Sequence, residues 1–190
     1  EVEAISEPVI PFKAEPIQRN TPSEHEFTSG ENFRLELPLG HGLLDTGAQH
    51  GIIGFSYYSQ LKGFLKEFGL QPKVIKKDPK SKSVGIGGAA NILFRAEIPV
   101  GIQGTSGIVT VNVISTSTPL LLPISFCRKL GVVLDLTDRT VTWRRLGDKV
   151  SHAIMLPSEH IAGNVCEYSA AGGQHPRQAS DRADFEVKGG

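Results

Sequence analysis

The run Leu43-Leu44-Asp45-Thr46-Gly47-Ala48 sets one carboxylate in a tight turn of small residues directly behind an apolar stretch. Two chemistries fit such a turn. In one, the Asp45 side chain caps its own backbone as an Asx-type turn, a structural task. In the other, Asp45 is half of a carboxylate pair that shares a proton and activates water. A second run, Gly85-Ile86-Gly87-Gly88-Ala89-Ala90, matches the loose dinucleotide fingerprint G-x-G-x-x-A. That fingerprint needs a helix next, so that the helix N-terminus can hold a pyrophosphate. Here Asn91-Ile92-Leu93-Phe94-Arg95 follows and reads as a strand, with no acidic residue about 20 positions on for a ribose hydroxyl. A glycine-rich hairpin tip fits the run better.

Other chemistries find little in the chain. The histidines at 25, 41, 50, 152, 160 and 175 form no H-x-x-x-H pair and the two cysteines no C-x-x-C, so no metal site is expected. His41 and His50 bracket the Asp45 turn and read as surface or packing residues. No G-x-S-x-G elbow marks a serine hydrolase. Cys127 lies between Phe126 and Arg128 in a predicted helix and reads as a buried structural thiol. Cys127 and Cys166 together read as unpaired thiols of a reducing compartment. No cofactor is implied.

The elements that must position the turn are mostly strands. Phe33-Arg34-Leu35-Glu36-Leu37 alternates apolar and polar residues, as a half-buried strand does. Ile52-Ile53, Ile92 to Phe94, Ile98 to Ile102 and Ile108 to Ile114 supply further strands. Leu61, Phe64, Leu65 and Phe68 fall at helical spacing, with Ser56 as N-cap and Gly69 as stop. Leu120-Leu121-Leu122 runs into a short helix, Ile124 to Leu130, ended by Gly131. Val132 to Leu136 and Thr140 to Trp143 form a closing hairpin. Plentiful glycine (21) and proline (12) suit short strands joined by turns. The sum is a small, closed, mostly antiparallel β domain with one or two short helices. Residues 31–147 are expected to fold. Residues 1–30, with Pro8, Pro11, Pro16 and Pro22, read as a flexible linker. Residues 148–190 read as a largely flexible tail, in which Met155, Leu156 and Ile161 are able to dock.

Charge narrows the partners. Twenty basic residues balance twenty acidic ones, so no long-range field draws in nucleic acid or an anionic membrane. Lys73, Lys76, Lys77, Lys80 and Lys82 form a basic loop without an aromatic platform and read as a solvated connection. No apolar run approaches the roughly 18–20 residues that span a bilayer. The opening Glu-Val-Glu carries no secretory signal and suggests a segment of a longer translation product, expected to be intracellular and cytoplasmic.

The order of these motifs resembles the retropepsins, the retroviral and retrotransposon type of aspartic protease. Leu-Leu-Asp45-Thr-Gly-Ala comes first, then Val84-Gly85-Ile86-Gly87-Gly88, then Pro119-Leu120-Leu121-Leu122 and a short helix ending Lys129-Leu130-Gly131. The likeness covers roughly residues 33–145. It implies a small closed antiparallel β-barrel in which Asp45 is the catalytic aspartate. Thr46 would lock two active-site turns together, Gly47 would leave room for substrate backbone beside the carboxylate, and Ala48 would complete the turn. Val84 to Gly88 would be the flap, a mobile hairpin that closes over an extended polypeptide. The chain holds one Asp-Thr-Gly, so a two-carboxylate site demands a homodimer. The resemblance also implies processing of a retroelement polyprotein. Two departures stand out. Pro123 replaces the family's usual glycine, and Ile124 and Gln49 replace its arginine–acid pair. A catalytically inactive module that dimerises or binds peptides is therefore the alternative.

Overall fold

The structure, a computed structural model, describes residues 37–76, 82–85 and 88–173. Residues 1–30, most of the strand expected at Phe33 to Leu37, Lys77, Lys80, Ile86-Gly87 and the last part of the tail lie outside the described residues. Among the described residues, twelve strands and two α-helices run in the order β1 (His41–Leu44), β2 (Gly51–Gly54), α1 (Phe55–Leu65), β3 (Lys73–Lys76), β4 (Lys82–Gly85), β5 (Gly88–Ile102), β6 (Thr105–Ile114), β7 (Leu121–Leu122), α2 (Ile124–Leu130), β8 (Val132–Asp135), β9 (Thr140–Trp143), β10 (Lys149–His152), β11 (Ile154–Met155) and β12 (Ile161–Asn164).

Most strands join one sheet in the order β11-β12-β1-β7-β2-β6-β5-β3, with β4 paired to β5 beside that path. Strands β8, β9 and β10 form a separate three-stranded sheet. Two neighbours are parallel, β1 with β7 and β2 with β6, and the remaining pairs are antiparallel. The backbone of β5 and β6 is a long ribbon whose core positions alternate: Ala96, Ile98, Val100 and Ile102 on one strand, Val109, Val111 and Val113 on the other. Tyr58, Leu61 and Leu65 of α1 join the same core, together with Leu120, Leu122, Phe126, Leu130 and the fully buried Trp143.

The helices follow the sequence reading closely. A single 3-10 turn, Lys66–Phe68, extends α1, and Gly69 and Gly131 end the two helical segments in the left-handed conformation (φ +68° and +61°). The predicted Ser56 cap is wrong. The chain leaves β2 at Gly54, whose N–H donates to the Thr118 carbonyl at 2.8 Å, and the helix starts at once with no side-chain cap. The expected basic loop is also partly ordered as strand, with Lys73 and Lys76 in β3 and Lys82 in β4.

One larger expectation needs correction. The boundary at 147 cuts through the fold. Strands β10, β11 and β12 lie beyond it, and β12 pairs with β1 through His41–Asn164, Gly42–Gly163 and Leu43–Ala162. Buried Leu156, Ile161, Ala162, Val165 and Cys166 explain why this segment docks. Among the described residues the mostly β fold agrees with the sequence reading, and the paired strands of the main sheet run as a path from β11 to β3 without confirming barrel closure. The extension of β12 reaches β5 at one isolated bridge, Gly101–Cys166, where the Gly101 N–H donates to Val165 at 2.8 Å and the Glu167 N–H donates to Gly101 at 2.9 Å. Pro99 is the next residue of β5 facing that edge. It has no N–H to donate, and its carbonyl takes the Tyr168 hydroxyl at 2.9 Å, so the ladder stops.

Candidate functional site

The Asp45 turn sits at the end of β1, which runs parallel to β7 with Leu43 opposite Leu121 and Leu44 opposite Leu122. The Leu43 N–H donates to the Leu120 carbonyl at 2.8 Å and the Asp45 N–H to the Leu122 carbonyl at 3.0 Å. Close approach is built in, since a Cβ on Gly42 would lie 2.7 Å from Leu122 Cδ1. The apolar run Leu120 to Leu122 therefore lies directly beside the strand that delivers Asp45. The helix after it is anchored to the same turn, because the Ile124 N–H donates to the Ala48 carbonyl at 3.0 Å. A backbone bond at Ile124 thus ties the helix to the turn.

Within the turn, Oδ1 of Asp45 accepts the Gly47 N–H at 2.9 Å and the Ala48 N–H at 3.2 Å, and the Ala48 N–H also approaches the Asp45 carbonyl at 3.2 Å. This is an Asx-type turn. It occupies only one carboxylate oxygen: among the described residues Oδ2 has no hydrogen-bond partner. Asp45 is half-buried, while Thr46 and Gly47 are exposed. The Thr46 hydroxyl also lacks a partner among the described residues. The structural and the chemical reading of Asp45 are thus compatible, one oxygen shaping the turn and the other open.

Cys127 packs beneath the turn from α2. Burial pushes its thiol above the usual range, and the nearby Asp45 carboxylate adds to the rise, because a thiolate beside a carboxylate is doubly disfavoured. It is a neutral neighbour rather than a nucleophile. Cys127 and Cys166 are both buried and free. Among the described residues no group of three or more His, Cys, Asp or Glu is placed to hold a metal, and no helix is long and apolar enough to cross a membrane.

The described part of the glycine-rich run falls in the paired strands of the β4–β5 hairpin, with Val84 opposite Ala89 and Gly85 opposite Gly88. Gly88 opens a strand of 15 residues, and no helix N-terminus follows for a phosphate. Among the described residues no hydrogen bond joins this hairpin to the Asp45 turn.

One feature escaped the sequence reading. Directly after the turn, Gln49 and His50 form one wall of a cleft of about 180 Å³, completed by Arg95, Thr110, Asn112 and Ser125. Only strand register assembles it: Arg95 faces Asn112 across β5 and β6. No motif in the sequence marks such a grouping.

The chain is similar to solved retroviral-type proteases. One is EIAV protease complexed with the inhibitor HBY-793, at 21% identity and a TM-score of 0.37 over 50% of this chain and 79% of that one. Another is the retroviral protease-like domain of Ddi1 from Leishmania major, at 21% identity and a TM-score of 0.37 over 53% of this chain and 74% of that one. No protein-family model matches the chain, and no curated protein does. At such identity and TM-score, a functional reading has to stand on the Asp45 turn itself.

Proposed function

We propose that this chain is an aspartic endopeptidase of retropepsin type that works as a homodimer, each subunit giving one Asp45. The observation that carries the reading is the divided carboxylate: Oδ1 is held by the Gly47 and Ala48 amides, and Oδ2 is unpartnered among the described residues. A carboxylate fixed by backbone donors with one free oxygen is suited to share a proton with a second acid. Two such groups a few ångströms apart cannot both ionise cheaply, so the pair holds one proton. The ionised member takes a proton from water, and the protonated member polarises the scissile carbonyl. With a single Asp-Thr-Gly in the chain, the second acid comes from another copy, and the exposed, unpartnered Thr46 lies where two turns would meet. The β4–β5 hairpin through Gly85 and Gly88 serves as the flap over an extended polypeptide, which adds strand-like hydrogen bonds. The expected substrate is a retroelement polyprotein.

The second reading, an inactive peptide-binding or dimerisation module, draws on the Asx turn, which gives Asp45 a structural task without any chemistry. Dilution separates the two. The specific activity of the full chain on a peptide library at pH 4–6 should fall as the concentration drops below the dimer dissociation constant, and a statine-type transition-state mimic should block it. A rate that is independent of concentration would remove the shared site. Absence of any cleavage by a chain shown to be dimeric would favour the inactive module.

A further inference from the structure

The cleft next to the Asp45 turn is lined by six polar side chains beside Gly51, Val111 and Pro123. The Arg95 guanidinium, the Gln49 and Asn112 amides, the Thr110 and Ser125 hydroxyls and the His50 ring all line it. None of these side chains makes a hydrogen bond or ion pair among the described residues, and no Asp or Glu is in the lining. Glu97 stands two residues from Arg95 on the same strand face and opposite Thr110, yet it is neither in the lining nor paired with Arg95.

Register explains how these groups converge. Asn112 is opposite Arg95 on one side and opposite Ile52 on the other, so Arg95 and Asn112 project from the sheet face opposite to buried Ala96, Val111 and Val113. Gln49 and His50 continue the chain straight from the Asp45 turn. Ser125 lies on the first turn of α2, next to the Ile124 amide that holds Ala48. The cleft and the turn therefore share one rim. Arg95 presents a planar cationic fork that matches a carboxylate. The amides and hydroxyls supply further neutral donors around it.

We infer that this cleft receives an acidic side chain, Asp or Glu, of the polypeptide substrate, with Arg95 as a specificity-determining residue. The inference rests on the endopeptidase reading for its cleavage readout. The charge preference itself is also measurable as binding.

The full 190-residue chain should be given a proteome-derived peptide library, followed by peptide pairs that carry Glu or Gln at the position where acids are enriched. The Glu peptide should show a kcat/KM about three- to tenfold higher, the size of a solvent-open charged pair. Molar salt should shrink that preference. The ratio should fall to about one in R95Q and be partly kept in R95K. No acidic enrichment, or enrichment that survives in R95Q, would overturn the assignment. A second arm measures fluorescence anisotropy of labelled hexapeptide pools with a fixed Glu or Gln on the Asp45→Asn chain. If the wild type cleaves nothing but binds the Glu pool better, and R95Q abolishes the difference, the cleft assignment stands while the protease reading fails. Equal binding of both pools sinks it.

Discussion

Replacing Asp45 in two ways separates its two tasks. Oδ1 accepts two backbone N–H groups, at 2.9 and 3.2 Å, in a turn that is only half-buried. Asp45→Ala removes both bonds, though water reaches the freed amides. The expected loss is about 1–2 kcal/mol, at the level of a lost helix cap. For a chain of this size that lowers Tm by about 3–6 °C. Asp45→Asn keeps an oxygen in the same place but without its charge, and charged acceptors bind about twice as strongly as neutral ones, so its cost is about 0.5 kcal/mol. Activity follows a different rule. Neither variant can take a proton from water, and both should lose at least about 10²–10⁴-fold in kcat. The assays are urea denaturation and thermal melting beside turnover of a library-selected peptide. Retained turnover in Asp45→Asn removes the aspartic mechanism. An alanine variant as stable as wild type shows that Oδ1 does not hold the turn.

Three further expectations concern the scaffold. Burial pushes the Cys166 thiol up to about 11 from an ordinary value near 9, only partly offset by the Tyr168 hydroxyl, so the folded state holds this proton more tightly than the unfolded chain does. Stability from this group is complete below pH 9 and falls as pH rises to about 11, by about 3 kcal/mol; urea midpoints across that window should drop, and less so in Cys166→Ala. Ser151→Ala strands the buried Trp143 Nε1–H, which donates to Ser151 Oγ at 2.9 Å, and also loses the Gln103 amide contact at 3.0 Å. It should cost about 1–3 kcal/mol by chemical denaturation, and an unchanged midpoint would mean that water replaces the hydroxyl. A chain ended at residue 147 loses β12 and the burial of Leu156, Ile161 and Val165. At about 1.5–3 kcal/mol for each large side chain, that is comparable to the whole stability of a domain, so circular dichroism and amide-proton dispersion should show it unfolded.

The parts legible in the sequence were those set by neighbours along the chain. Leu61, Phe64, Leu65 and Phe68 at helical spacing, with Gly69 beyond them, sufficed for α1 and the 3-10 turn that extends it. Ile124 to Leu130 with Gly131 sufficed for α2, and Val132 to Trp143 for a hairpin whose turn is capped by Asp135 accepting the Thr137 and Asp138 amides, each at 2.9 Å. The segment after Gly147 carries no strong strand signal because Ile161 to Cys166 is short and interrupted by Gly163, and its burial comes from β1, more than a hundred residues upstream.

Residue type and order alone determined that a single carboxylate occupies an Asp-Thr-Gly-Ala turn behind an apolar run, and that strand-forming residues follow the glycines. Those are local properties, fixed by covalent spacing. Tertiary structure decided the rest. It set Leu120 to Leu122 beside β1, and among the described residues it left one oxygen of Asp45 without a partner while the other shapes the turn. It also drew Arg95, Asn112 and Gln49 to one cleft. The physical reason is register: a shift of one residue turns every side chain of a strand to the opposite face, and that choice is made by pairing across the sheet, not along the chain.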